Sequence, residues 1–256
     1  MKNRLIIFLT LMLTAVTALA SGIDFIDQGN KAYEQKQYKK AVEMYERALR
    51  DGESSQLRYN LGNAYYRLND RAHAILNYER ALNLDPGNSD ARFNLKFVNE
   101  KSKINETSGT NYFTNLISGW ISHMSSNRWA MIAMTLFVLM LASIACYRIA
   151  REVALQKTGF FGAIVLGILA LLALASSFYM YHHTTKTLHA IVMTDKAPAN
   201  KSPRDGEKEV FKLPSGTKVE IVDSINNKNS NGNVWYMIET TSNKTGWMKK
   251  DNLEKI

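Results

Sequence analysis

The sequence predicts a multidomain membrane protein: an α-helical repeat region, two transmembrane helices and a C-terminal all-β barrel. Three observations carry that prediction. Small and aromatic residues recur with a period of 33 near the N-terminus, and two long runs without formal charge lie in the middle. The C-terminal part alternates apolar and polar positions between turns rich in Asn, Ser, Lys and Gly.

Composition sets the outer bounds. With 46% hydrophobic and 21% charged residues over 256 positions, the chain has the content of a folded protein, and disorder is excluded. One cysteine, Cys146, and five scattered histidines build neither a disulfide scaffold nor a zinc finger, so no metal or cofactor is expected. The net charge of +9 is spread along the chain rather than gathered in a patch, which argues against a nucleic-acid partner.

At the N-terminus, Lys2 and Arg4 precede an apolar run from Leu5 that ends in Ala18-Leu19-Ala20 before Ser21. A short apolar core with a small-residue cleavage site reads as a secretory signal peptide over residues 1–20, cut after Ala20. No cysteine follows it, so a lipoprotein is excluded.

Residues 129–147 and 159–181 are the two uncharged runs, and as helices at 1.5 Å per residue they would be about 28 and 34 Å long. Both cross a hydrocarbon layer of about 30 Å. The connection 148–158 holds Arg148, Arg151 and Lys157 against Glu152, so the excess of positive charge predicts a cytoplasmic loop. The signal peptide requires the same parity, which places the flanking segments in the periplasm of a bacterial inner membrane. Ahead of the first run, Phe113, Leu116, Ile117, Trp120, Ile121 and Met124 form one apolar helical face over residues 111–126. That helix either lies in the headgroup plane or extends the repeats.

The period of 33 pairs Gly29 with Gly62, Asn30 with Asn63, Ala41 with Ala74, Tyr45 with Tyr78 and Ala48 with Ala81. A third copy begins where Arg58-Tyr59-Asn60-Leu61 recurs as Arg92-Phe93-Asn94-Leu95. Gly and Ala let paired helices approach while aromatics fill the space between pairs. On these residues, with Tyr65 and Pro86 also at family positions, the segment 22–104 resembles the tetratricopeptide repeat (TPR) family: two helix pairs plus a capping helix. The resemblance implies a peptide- or protein-binding groove lined by Ile26, Asn30, Tyr33, Tyr59, Asn60, Asn63, Tyr66, Phe93 and Phe97, unless some of these aromatics are core. Ile26, Asp90 and Asn94 stand where carboxylate-gripping members are basic, so a chaperone-tail clamp is disfavoured. The array is short for an independent solenoid, and the missing burial is left to the aromatic cap, the membrane-proximal helix or a partner.

Beyond residue 181, strand-like segments at 188–193, 217–223 and 234–240 predict a small β-barrel over 184–256. Leu213-Pro214-Ser215-Gly216 carries a type I turn signature. With Trp235-Tyr236-Met237-Ile238 and Gly246-Trp247-Met248, the segment resembles the bacterial SH3-like domain. That likeness implies binding of cell-wall peptides or proteins, with Trp235 and Trp247 as contact residues or, equally, as core.

No catalytic constellation emerges. Ser215-Gly216-Thr217-Lys218 fits S-x-x-K but sits in a predicted turn without companion motifs. His182-His183 lacks a neighbouring carboxylate or cysteine, and Cys146 falls within an uncharged run. The full order of segments resembles the TPR/SH3 proteins of the Bacteroides aerotolerance operon. That implies a non-enzymatic inner-membrane adaptor whose partners are that operon's von Willebrand-type and MoxR-linked membrane proteins, linked to oxidative stress. The competing expectation is a peptidoglycan-binding sensor, or an accessory factor for a cell-wall hydrolase.

Overall fold

The computed structural model describes residues 24–102, 119, 121–186, 188–226 and 234–256. The signal peptide and most of the pre-membrane helix predicted over 111–126 lie outside the described residues. The chain divides into two compact units, one combining the N-terminal repeats with the C-terminal segment from Leu188, the other covering residues 110–187.

In the first unit, α1 (residues 24–34), α2 (Tyr38–Asp51), α3 (Ser55–Arg67), α4 (Arg71–Leu84) and α5 (Ser89–Lys101) follow one another across short turns. Starts and stops are written locally. Ser54, Asp70 and Asn88 cap the first free amides of α3, α4 and α5 through their side chains. Lys36 and Asn69, 33 positions apart, both take positive φ, of 60° and 62°, at the reversals after α1 and α3. Gly29 and Gly62 are required by close approach. A Cβ on either would stand 2.5 Å or 2.7 Å from the ring of Tyr45 or Tyr78. Ala41, Ala74 and Ala81 are fully buried at the helix contacts.

The C-terminal segment forms one antiparallel sheet: β1 (Leu188–Val192), β2 (Ala197–Asn200), β3 (Glu209–Leu213), β4 (Lys218–Asn226), β5 (Val234–Thr240), β6 (Thr245–Lys249) and β7 (Leu253–Lys255). The order is β3-β2-β6-β5-β4-β1-β7, with no pairing between β3 and β7, so the expected closed barrel is an open sheet. Closure is replaced by packing: Ala199 of β2, Ile238 of β5 and Leu253 of β7 belong to one buried cluster, which requires the sheet to bend over its inner face. The turn predicted at Leu213–Gly216 sits one residue later. Thr217 N–H donates to Pro214 O, and Gly216 has φ of 88°, the positive value that a type II rather than a type I turn requires.

Repeats and sheet share a second core. Ala190 and Val192 point into the sheet's inner cluster, whereas Ile191, fully buried between them in sequence, joins Ile75, Leu76, Tyr78 and Val98 of α4 and α5. Met193 and Ile256 pack against the same cluster. Polar contacts frame it: Lys218 Nζ lies 2.8 Å from Glu79 Oε2, and Arg80 reaches both the Lys255 carbonyl at 2.6 Å and the Glu254 carboxylate at 3.0 Å. The C-terminal segment thus supplies burial to a repeat array too short to complete its own core.

The second unit is a helical hairpin, α6 (Ser126–Ile149) and α7 (Val153–Lys186). The connection foreseen over 148–158 narrows to Ala150–Glu152, because the charged flanks continue the helices past the apolar runs. The helices run antiparallel, with Ser177 Oγ donating to the Ser126 carbonyl at 2.9 Å. Gly159 permits contact near the turn, where a Cβ would stand 2.7 Å from the Tyr147 nitrogen. Both helices are long and apolar enough to cross a membrane, and their most apolar stretches are only 11% buried.

Candidate functional site

The first helices of the successive pairs, α1, α3 and α5, are neighbours, and their contacts repeat. Tyr45 donates its hydroxyl proton to Asn30 Oδ1 at 2.8 Å, and Tyr78 does the same to Asn63 Oδ1 at 2.7 Å. Burial pushes the Tyr45 hydroxyl pKa up to about 12 and raises that of Tyr78 as well, so both stay protonated donors. The same two oxygens accept from the next helix, Asn60 Nδ2 on Asn30 at 3.3 Å and Asn94 Nδ2 on Asn63 at 2.8 Å. Asn30 and Asn63 therefore align α1, α3 and α5 by their carbonyls. Their own Nδ2 groups have no hydrogen-bond partner among the described residues.

The other expected groove residues divide by exposure. Phe93 is 70% and Phe97 43% exposed on α5. Tyr66 lies edge-on to Phe97 with centroids 6.0 Å apart, and Tyr33 is edge-on to Tyr38 at 5.3 Å. Tyr59 leans on Tyr78 at 6.2 Å and packs against the core shared with Ile191, while Ile26 packs against the first pair's core. Two cations that sequence inspection passed over complete this face. Arg67 Nε donates to the Tyr33 hydroxyl at 3.3 Å, and Lys101 Nζ to the Tyr66 hydroxyl at 3.2 Å. Lys101 also stands 5.1 Å from the Phe97 ring centre. The available signal was their shared place, the last turn of α3 and of α5.

On the sheet, Trp235 is 2% exposed beneath Lys249, whose Nζ is 5.5 Å from its ring, and its indole nitrogen is buried without a partner among the described residues. Trp247 is half-buried, paired across the sheet with Met237 and Asn200. Of the two alternatives open for these tryptophans, Trp235 occupies a core position and Trp247 keeps surface. In the S-x-x-K match, Lys218 is committed to Glu79 and Ser215 lies in the turn before β4. That arrangement pairs no base with the hydroxyl.

No curated protein matches the chain. The tetratricopeptide repeat family matches residues 55–88, which hold α3, α4 and the turn into α5. The match falls on the helices that carry Tyr59, Asn60, Asn63 and Tyr66, and the contacts of Gly62 and Tyr78 recur in α1 and α2. Residues 55–88 are a tetratricopeptide repeat, a kind of module that mediates protein–protein interaction.

Proposed function

We propose that this protein is a non-enzymatic inner-membrane adaptor, anchored by the α6–α7 hairpin and offering the face of α1, α3 and α5 to a polypeptide partner in the periplasm. One observation carries this reading. The segments before and after the hairpin, residues 24–102 and 188–256, share a buried core at Ile191. A chain that crosses a membrane twice brings both segments to one side, as that core requires, and the positive residues Arg148 and Arg151 beside the turn favour the cytoplasm for the turn itself.

The groove's amide donors and exposed aromatics suit an extended backbone with apolar side chains. The likeness to aerotolerance TPR/SH3 proteins makes von Willebrand-type and MoxR-linked membrane proteins the partners to test, and the SH3-like likeness of the sheet adds a second interaction surface around Trp247. A membrane-impermeant protease added to spheroplasts is expected to digest both flanking segments. A photo-crosslinking residue at Phe93 is expected to give discrete adducts with those envelope proteins that one at Lys39 on α2 does not. Protection of either segment overturns the orientation, and identical adducts from the two positions overturn the groove.

A further inference from the structure

We propose that the groove selects segments that carry aspartate or glutamate side chains among apolar ones, received by Arg67 and Lys101. The inference rests on the interaction reading above and names the chemistry of the ligand.

Arg67 and Lys101 are built alike. Each ends a first helix, and each donates to the tyrosine that closes the preceding first helix, Tyr33 or Tyr66. A basic residue in a last turn is explained by the helix dipole alone. The dipole does not explain why both exposed side chains reach back to a tyrosine of the preceding first helix. Neither cation has a carboxylate within ion-pair distance among the described residues, while other basic side chains close by do find one. Lys96 pairs with Glu100 and Arg58 with Glu53, both on the helices that end in these cations or just before them. In the first repeat the matching position is Glu34, so the cationic lip begins at α3.

Each tyrosine hydroxyl restrains the cation it accepts from, which reduces the ordering cost that makes most exposed ion pairs weak. Beside them stand Phe93 and Phe97, exposed for apolar contact, and the half-buried Asn30 and Asn63, whose Nδ2 groups have no hydrogen-bond partner among the described residues. A carboxylate on an extended, apolar strand fits all three features at once, whereas a basic segment meets two like charges.

The test uses the full chain in lipid nanodiscs and an array of several hundred random decapeptides with amidated C-termini, each acidic sequence paired with its Asn/Gln counterpart. The strongest binders are expected to contain Asp or Glu and to lose about ten-fold on conversion to the amides. The Arg67→Gln, Lys101→Gln double variant is expected to bind both members of each pair alike, with Arg67→Lys, Lys101→Arg restoring the preference. Equal binding of the pairs by the native protein overturns the inference while leaving the groove's interaction role standing. A preference that survives the double variant overturns the assignment to these two residues. Binding of no peptide overturns both the inference and the groove reading.

Discussion

The repeat-and-sheet unit and the helical hairpin treat the same residue types in opposite ways. Leu61 of α3 is 2% exposed, while Leu171 of α7 is 68% exposed, with Phe178 at 70%. In the first unit, apolar side chains from helices and strands meet in shared clusters, and glycines are spent on fitting tyrosine rings against helices. In the hairpin the glycine at position 159 lets the two helices approach and a small cluster of Trp129, Ala133, Ala173 and Met180 is buried, while Leu171, Leu172, Phe161 and Phe178 stay exposed. Monomers in water seldom leave apolar surface of that extent uncovered, and the difference supports the proposal that the hairpin lies in a membrane while the first unit folds in water.

The comparison is broken most directly by making one substitution in both units. Leu61→Ala is expected to cost about 2–5 kcal/mol, through lost transfer energy and a cavity. Leu171→Ala is expected to stay within about 0.5 kcal/mol, since most of this side chain lies outside the protein interior. Denaturant unfolding of the nanodisc-embedded chain, followed by circular dichroism, measures both. Comparable losses would show that Leu171 packs against protein, and the two-solvent contrast would fail.

A smaller effect sharpens the contrast from the aqueous side. Asp70 caps α4 and holds the His73 ring at 2.8 Å. The hydrogen bond with His73 keeps the Asp70 carboxyl below its usual range. The same bond raises the His73 pKa, helped by the charges of Glu254 and Glu46. The depressed carboxyl adds stability that is lost as pH falls through its lowered pKa. The raised imidazole adds stability present below about pH 6.5 and lost as pH rises through its raised value. Because both side chains are 39% exposed, screening limits the pair to a few tenths of a kcal/mol, at most ~1 kcal/mol. The stability difference between the native chain and His73→Gln is expected to be larger near ~pH 6 than near ~pH 9. A difference independent of pH would remove His73 from the account.

Much of the repeat architecture was legible because its constraints are local and periodic. A tyrosine fifteen or sixteen residues after a glycine and an asparagine needs both, the one for space and the other for its hydroxyl, so the period of 33 marks physical contacts. The two apolar helices were legible from length and lack of charge, though the helices run past Tyr147 and start before Gly159 because charged residues are good helix formers outside a hydrocarbon layer. Strand segments in the C-terminal part were visible by alternation, but that the sheet stays open was not, since closure would depend on long-range pairing of β3 with β7, about which no local pattern speaks. The continuous run Ala190-Ile191-Val192 carried a signal of burial on both faces. Nothing nearby in sequence named α4, more than a hundred residues earlier, as what covers Ile191. The tyrosine-held cations Arg67 and Lys101 were hidden for a similar reason, because their partners lie one repeat away.

The central claim is that the repeats and the C-terminal sheet are one packed body with a common core at Ile191. Hydrogen exchange of the full chain and its Ile191→Ala variant in nanodiscs tests it most directly. Removing the fully buried side chain is expected to speed amide exchange in α4 and α5 as much as in β1, because a cavity there loosens both sides of the shared cluster. Faster exchange confined to residues 188–256, with α4 and α5 as protected as before, would contradict the account.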